Sequence, residues 1–324
     1  MKNLLLKLKN LFSNKDVKDK FSTKLKLFLL GNGVKEGKIF SIFLYVVVVS
    51  LGFIFLYPIL YMISMSFMSL DDLLNNQINW IPSTFYTENY MTAIKVLKLP
   101  KSLYDSLKVV LIPATLSTVS SCLIGYGFAR FNFPGKKILF ALTILVYIIP
   151  TQITLLPQFV WFKNLGLLGS LWTFILPASL GQGLFSTIYI LIFYSFFNMI
   201  PKSLDEAAYI DGANELKVFL NVGLKLSIQP FIICMAFSFV WYWNDYYHVS
   251  YFMLQTDTKT LVQLLNIFEQ TFATMEGEGE MLLKINEPIT LAGTLITISP
   301  LLLVYFFLQK YFVESVDSTG ITGE

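Results

Sequence analysis

The residues best placed for acid–base or proton-transfer chemistry inside an apolar stretch lie together at residues 241–248 (Trp-Tyr-Trp-Asn-Asp-Tyr-Tyr-His). Asp245 and the single histidine, His248, could form a proton-relay pair, although proton-coupled carriers usually place several such groups along a pathway. The alternative is that Asn244 and Asp245 hydrogen-bond a helix break. The neighbouring aromatic rings could form an interfacial belt or stack on a sugar ring. The sequence alone does not choose between these alternatives.

No enzymatic motif accompanies this group. The glycine-rich residues 31–38 lack the glycine spacing of a phosphate-binding loop, and Ile39 stands where Ser or Thr would bind Mg²⁺. His248 has no evident second metal ligand. We therefore predict no catalytic residue, no metal site and no cofactor bound by this chain. Cys122 and Cys234 lie in apolar segments and are predicted to be packing residues.

A polar segment at residues 200–213 lies between two apolar stretches and carries several helix signals. Pro201 cannot continue the helix before it. Ser203, followed three residues later by Glu206, predicts a capping box at the start of a new helix. Asp205 and Glu206 would lie in the first turn, where the helix dipole favours negative charge. Gly212 predicts a stop in the left-handed conformation.

The helix predicted between these signals has a face of small residues. Helical spacing places Leu204, Ala207, Ala208 and Asp211 together, and the two alanines would let another surface approach closely. A second short helix is predicted to follow, with Leu216, Phe219 and Leu220 on one side. We call residues 203–212 the knob, since the segment has the features of a compact docking element.

The amino-acid composition is typical of a membrane protein. Hydrophobic residues make up 55% of the chain and charged residues 14%, whereas soluble domains carry about 25% charged residues. Because a spanning helix needs about 20 mostly apolar residues, we predict an all-α integral membrane protein with about six transmembrane helices. The predicted spans are 39–66, 107–129, 138–162, 171–197, 226–254 and 288–309. The third is the most interrupted, since Pro150 and Pro157 fall within it.

The lysine and arginine distribution predicts the orientation of the chain. With both termini on one side of the membrane, that side carries 17 of the 24 basic residues, so the termini and the knob are predicted to be cytoplasmic. Residues 1–38 are predicted to be a Lys-rich cytoplasmic segment. This segment is either an amphipathic helix on the lipid surface or a disordered tail. Residues 39–312 form the predicted membrane domain, and residues 313–324 form a cytoplasmic tail.

Two long loops are predicted on the opposite face. The first, residues 67–104, includes Trp80 and Asn89, and the second, residues 255–287, is acidic. Because loops of this length are usually functional or disordered, docking of an outer partner and flexible connection remain open for both.

The order of these segments resembles a known family, the ABC importer permeases. Glu206-Ala207-Ala208, followed three residues later by Gly212, resembles their EAA motif. The surroundings are similar to the carbohydrate-type subfamily, and in particular to the smaller permease of the maltose importer. Residues 125–135 (Gly-Tyr-Gly-Phe-Ala-Arg-Phe-Asn-Phe-Pro-Gly), 149–157, 165–167 and 243–245 match its other characteristic segments in order. One departure is Lys225, which follows Leu224 where the family usually has proline.

The resemblance implies a type I ABC importer permease fold in which a cytoplasmic coupling-helix loop, residues 198–225, transmits movement. It implies four partners: a second homologous permease, an ATPase dimer that docks on residues 203–212, an extracytoplasmic sugar-binding protein, and membrane lipid. No nucleic-acid partner is expected, and ATP and Mg²⁺ are expected on the ATPase. The ATPase-coupling residues it implies are Asp205, Glu206, Ala207, Ala208, Asp211 and Gly212. Glu206 is expected to cap its helix and to pair with a basic residue of the ATPase.

A sugar pathway needs hydrogen-bonding groups and flat apolar faces in one place. The candidates are Thr151, Gln152, Asn244 and Asp245, with Tyr147 and Trp243 as stacking partners. A basic pore would favour a phosphorylated solute, but the spans contain almost no lysine or arginine, which favours a neutral sugar. Two alternatives remain: a permease for a non-sugar or phosphorylated polyol solute, and a self-contained secondary carrier. A carrier would be expected to show internal repeats and intramembrane charge pairs.

Overall fold

The computed structural model describes residues 28–29, 37–75, 80–254, 256–276 and 287–321, with side chains described up to Tyr311. The helices within this part of the chain are α1 Lys38–Ser66, α2 Leu70–Leu74, α3 Glu88–Val96, α4 Leu99–Arg130, α5 Lys136–Ile148, α6 Thr151–Asn164, α7 Trp172–Ser179, α8 Ser186–Met199, α9 Lys202–Ile210, α10 Glu215–Val218, α11 Leu224–Leu226, α12 Ile228–Trp243, α13 Tyr247–Phe252, α14 Leu261–Asn266, α15 Phe268–Glu276 and α16 Glu287–Ile321. A π-helical turn, Phe219–Gly223, joins α10 to α11. The amphipathic helix predicted within residues 1–38 lies almost wholly outside the described residues.

The prediction of about six membrane-spanning helices is confirmed. Among the described residues, three helical segments are each long and apolar enough to cross a membrane: α1, α4 and Glu287–Tyr311 within α16. In three further cases, two consecutive helices reach this length only when they are counted as one span. A sharp bend separates the two helices of each pair: 102° between α5 and α6, 72° between α8 and α9, and 75° between the Glu215–Leu226 segment and α12. The largest bend follows Pro150, as expected of the most interrupted span.

The chain divides into two units, Met1–Ser64 and Met65–Glu324. The described part of the first unit consists mainly of α1, which is apolar on every side and exposes most of its side chains. A helix with this pattern is matched to lipid rather than to water.

The second unit is built around α4, which packs against α7, α8 and α12. One apolar cluster joins α4 and α12 to the helices at residues 247–276, and includes Phe174, Trp243, Phe252 and Phe268. The other joins α4, α8, α12 and the π-helical turn. It contains Cys122 and Cys234, which are both free and buried. Their predicted role as packing residues is confirmed.

Glycine lets α4 and α8 approach closely at one position. A Cβ atom on Gly125 would lie 2.6 Å from the Cβ of Phe193, whereas a Cβ on Gly127 would meet nothing within 4 Å. We expect Gly125→Ala to destabilise the protein by about 1–3 kcal/mol, because overpacking displaces backbone and side chains. The matched change Gly127→Ala should be neutral or stabilise by up to about 1 kcal/mol. Thermal unfolding in detergent would measure both, and equal melting temperatures would contradict the assigned packing.

Two predicted spans need correction. The fourth, 171–197, is not one helix, because it is interrupted between Ser179 and Ser186. The fifth, 226–254, is interrupted between Trp243 and Tyr247. The sixth, 288–309, agrees with the apolar segment Glu287–Tyr311, and its helix continues to Ile321 because residues 301–319 contain no glycine or proline that would end it.

The two long loops, predicted at residues 67–104 and 255–287, also contain more structure than their length predicted. In the first, Asn89 is buried and its Nδ2 donates to the carbonyl oxygens of Ser66 and Met68, both at 2.9 Å. In the second, Leu261, Phe268 and Phe272 are buried in an apolar cluster. Both loops therefore contain packed segments, at Asn89 in the first and at residues 261–272 in the second. Residues 277–286 lie outside the described part.

Candidate functional site

The knob folds as a short helix whose start differs from the predicted one. Helix α9 begins at Lys202, with Pro201 as its N-cap residue at φ −58° and ψ 131°, and no side chain caps it. The predicted Ser203–Glu206 capping box is therefore wrong, because Ser203 lies inside the helix where its hydroxyl cannot serve as the cap. Asp205 does lie in the first turn, as predicted, whereas Glu206 lies one residue beyond it.

The predicted glycine stop is confirmed. Gly212 adopts φ 80°, in the left-handed region. The amide of Ala213 donates to the carbonyl oxygen of Ala208 at 3.0 Å, and the amide of Gly212 donates to the carbonyl oxygen of Tyr209 at 3.0 Å. This pair of bonds is the Schellman arrangement, which ends a helix at a glycine.

A second short helix follows and is tied to the first. Asn214 caps α10 by accepting from the amide of Lys217 at 2.9 Å. The hydroxyl of Tyr209 donates to the carboxylate of Glu215, and this bond raises the pKa of Tyr209 to about 12. Tyr209 therefore stays protonated, and able to donate, throughout the physiological pH range.

The predicted apolar side of this second helix is only partly correct. Phe219 is buried, but Leu216 and Leu220 are exposed. The π-helical turn that begins at Phe219 adds a residue to the helical repeat, so the three side chains no longer share one face.

Most of the knob faces away from the rest of the chain. Leu204, Glu206, Ala207, Tyr209, Ile210, Asp211 and Gly212 are exposed, and Ala208 is half-buried. Ile210 is 86% exposed and Leu216, just beyond the knob, is 63% exposed. A polar segment that presents large apolar side chains among charges is typical of a protein-docking surface.

Asp205 points the other way, and sequence reasoning missed its partner. Asp205 is buried, and its Oδ2 lies 2.9 Å from Nε of Arg130, with side-chain exposures of 12% and 7%. The Nη2 of Arg130 also donates to the carbonyl oxygen of Ile200 at 3.0 Å. The last residue of α4 therefore holds both the chain entering α9 and its first turn. The only sequence signal was a lone arginine at the end of a long apolar helix.

Aromatic rings reinforce this junction. The ring of Tyr126, one turn before Arg130 on α4, lies 5.1 Å from that of Phe197 on α8 and 4.9 Å from that of Phe219 in the π-helical turn. Edge-to-face contacts of this kind stabilise beyond the apolar area that they bury. The ion pair thus joins the knob to α4, and the aromatic cluster joins α4 and α8 to the π-helical turn that follows the knob.

The second candidate site is a cavity of about 410 Å³ between α5, α6, the α7–α8 break and residues 242–252. Its volume falls in the range of small-molecule sites, about 300–1,000 Å³. Of the predicted pathway residues, the structure brings four to it: Tyr147, Thr151, Gln152 and Asp245.

Two predicted residues do not line the cavity. Trp243 is buried, stacks on Phe239, and donates from its indole nitrogen to the carbonyl of Thr297 at 3.2 Å. Its expected stacking role is therefore corrected to a packing role. Asn244 donates from Nδ2 to the carbonyl of Val240 at 2.9 Å and ends α12.

Asp245 and His248 lie together beside the cavity. The Nδ1 of His248 lies 2.9 Å from Oδ1 of Asp245, which also accepts from the backbone amide of His248 at 3.2 Å. The pair spans the break between α12 and α13, so the predicted helix-break role of Asp245 is confirmed. No group of three or more metal-ligating side chains occurs in the described ranges.

Comparison with known proteins agrees with this architecture. Residues 121–318 match the family model described as the binding-protein-dependent transport system inner membrane component. The chain is 28% identical to the polygalacturonan/rhamnogalacturonan transport system permease YtcP of Bacillus subtilis, over 89% of this chain and 100% of that protein. It is also 28% identical to the arabinooligosaccharide transport system permease AraQ of Halalkalibacterium halodurans, over 84% of this chain and 93% of that protein.

A solved structure shows the same fold. The match is to a chain of a bacterial ABC transporter involved in the import of the acidic polysaccharide alginate, with a TM-score of 0.72 and 21% identity. It covers 85% of this chain and 97% of that chain. Since the family model spans more than half of the sequence and the fold agrees, the chain belongs to the family of binding-protein-dependent transport system inner membrane components.

Proposed function

We propose that this chain is the permease subunit that carries a sugar, an oligosaccharide, through an ATP-driven importer. Members of its family are permease subunits rather than enzymes, and ATP hydrolysis takes place on a separate subunit. ATP and Mg²⁺ are accordingly assigned to that ATPase, and no cofactor is assigned to this chain. The sugar assignment is supported by relatives whose names concern oligosaccharides and polysaccharides, and the non-sugar alternative is not favoured.

The exposed knob is the observation that carries the mechanism. We assign the ATPase contact to Glu206, Ala207, Ala208 and Asp211, because they are polar or small and, apart from the half-buried Ala208, are exposed on or just after a short helix that ends in the turn at Gly212. Gly212 provides the turn. Asp205 is reassigned from docking to linkage, because it is buried against Arg130. When the ATPase dimer closes, movement of the knob passes through this link to α4.

The distribution of basic residues supports an assignment of the remaining partners to the two sides of the membrane. We assign the knob and both termini to the cytoplasmic side of the inner membrane, since most lysine and arginine residues fall there. The outer loops then face the extracytoplasmic sugar-binding protein, which delivers the solute to the cavity. A second, homologous permease completes the pathway.

Reconstitution tests this function. Proteoliposomes containing this chain, its partner permease, the ATPase and the binding protein should hydrolyse ATP faster when the binding protein carries sugar, and should accumulate that sugar. Liposomes containing this chain alone should move none. Sugar transport by the chain alone, without ATP, would instead identify a self-contained carrier.

A further inference from the structure

The interruption between α7 and α8 forms part of the cavity wall, and its backbone conformation depends on specific residues. Gly181 and Phe185 both adopt left-handed backbone conformations, at φ 72° and 55°. A Cβ atom on Gly183 would lie 2.6 Å from Oη of Tyr242 and 2.9 Å from Oγ of Ser117. Irregular backbone at membrane depth is tolerated where it is buried in protein or lines a cavity, and residues 181–187 line this one.

Hydrogen bonds hold this break in place. The amide of Leu184 donates to Oη of Tyr242 at 3.2 Å, and the hydroxyls of Ser117 and Ser186 lie 2.7 Å apart. Gln182 lies within the break, where its backbone amide donates to the carbonyl of Pro177 at 2.8 Å. The backbone of Gln182 is thereby fixed, while its side chain is exposed and lines the cavity.

Three glutamine side chains line the same cavity. Gln152 and Gln158 belong to α6, and Gln182 belongs to the break. None of the three side-chain amides is hydrogen-bonded to another group in the described part of the chain. An amide offers two donors and an acceptor without charge, which matches the hydroxyl groups of a sugar. Facing lipid, such groups would be costly.

The charged groups that line the cavity indicate whether it can bind a charged or a neutral solute. Among the described residues that line the cavity, Asp245 and His248 are the only acidic or basic side chains, and they are paired with each other. No lysine or arginine of the described chain lines it. A carboxylated or phosphorylated sugar would need a cationic partner when desolvated. The described part of the chain supplies no lysine or arginine there, and His248 is already paired with Asp245, although the similar solved structure belongs to an importer of an acidic polysaccharide.

We infer that Gln152, Gln158 and Gln182 form a binding site for the ring hydroxyls of an uncharged sugar, with Gln182 presented by the α7–α8 break. This inference rests on the proposed function, because it names the solute class of the same pathway. Each glutamine that binds a hydroxyl contributes one or two neutral hydrogen bonds.

Thiol labelling tests the position and the solute class together. In the complete importer, Gln182→Cys introduces an accessible thiol, while the native Cys122 and Cys234 are buried. The probes are millimolar maltotriose, cellotriose, xylotriose and arabinotriose, with trigalacturonate as the acidic probe. At least one neutral trisaccharide should slow labelling of Cys at 182 several-fold, and trigalacturonate should not. The matched variant Gln229→Cys, outside the cavity, should be labelled equally in all solutions.

Uptake tests the contribution of the amide itself. Sugar accumulated per ATP hydrolysed should fall about five- to tenfold in Gln182→Leu, as expected for one or two lost hydrogen bonds. Gln182→Asn should recover part of this loss because it keeps the amide, and Gln229→Leu should behave as wild type. ATP hydrolysis stimulated by the loaded binding protein should persist in Gln229→Leu, and the yield of purified complex, measured for every variant, shows whether the complex is assembled.

The outcomes separate this inference from the proposed function. If the complex imports a neutral sugar while Gln182→Leu is unimpaired, the glutamine site is wrong and the importer assignment stands. If trigalacturonate alone protects and is imported, the solute class is wrong. If no loaded binding protein stimulates ATP hydrolysis or uptake, the proposed function itself fails, and with it this inference.

Discussion

Arg130→Ala is expected to abolish coupled sugar import while leaving most of the bundle folded. Arg130 holds the carboxylate of Asp205 at 2.9 Å and the carbonyl of Ile200 at 3.0 Å. Removing one member of a buried ion pair typically costs about 3–5 kcal/mol, because the remaining charge is left uncompensated. Since 1.4 kcal/mol corresponds to tenfold in an equilibrium, we expect sugar-stimulated ATP hydrolysis and uptake to fall by more than about tenfold.

A charge exchange distinguishes the ion pair from general packing. Asp205→Arg alone places two cations together and should be as damaging as Arg130→Ala. The double variant Arg130→Asp/Asp205→Arg restores an opposite pair and should regain part of the uptake. Complex yield and thermal unfolding are measured in parallel. Full uptake by Arg130→Ala, or a double variant no better than the worse single one, would show that the pair does not transmit movement.

Glu206→Lys should also abolish coupling, but unlike Arg130→Ala it should leave the stability of the protein unchanged. Glu206 is exposed and forms no ion pair or side-chain hydrogen bond with another described residue. A surface substitution of this kind usually changes stability by less than about 0.5 kcal/mol. If the carboxylate pairs with a basic residue of the ATPase, reversing its charge creates a like-charge contact that costs several kcal/mol. Uptake and stimulated ATP hydrolysis should therefore fall about tenfold or more.

The matched control is a charge reversal elsewhere on the predicted cytoplasmic side. Lys137 is exposed at the start of α5, outside the knob. Lys137→Glu should leave uptake close to wild type. Pull-down of the ATPase by the permease pair gives an independent measure, which should weaken in Glu206→Lys only. Normal ATPase binding and uptake in Glu206→Lys would remove Glu206 from the docking surface.

The adjacent residues Asp205 and Glu206 thus have different roles, linkage to α4 and docking, although both were expected to couple to the ATPase. Asp205 and Glu206 are both acidic and both near the start of α9, and the family resemblance implied that both couple to the ATPase. In the fold, Asp205 turns towards α4 and Glu206 turns outward. Substitution of Asp205 should lower both stability and coupling, whereas substitution of Glu206 should lower coupling alone. Two neighbouring carboxylates therefore give a direct test of linkage against docking.

The sequence by itself determined the properties that depend on composition and local conformation. Long apolar stretches predicted the spans because lipid requires them. Pro150 predicted the sharpest bend, and Gly212 predicted the end of the knob helix, since each residue restricts or permits its own backbone angles. Family membership followed from the order of short motifs.

Only the tertiary structure decided which distant side chains meet. Arg130 and Asp205 are 75 positions apart, and no local pattern predicts their contact. The same holds for the break at residues 180–185, where Tyr242 and Ser117 stabilise a conformation that an apolar sequence would otherwise avoid. Trp243 was assigned to a solute from its neighbours in sequence, but packing against Phe239 and Thr297 placed it in the core. Residue type sets what a side chain can bind, whereas long-range packing sets what it reaches.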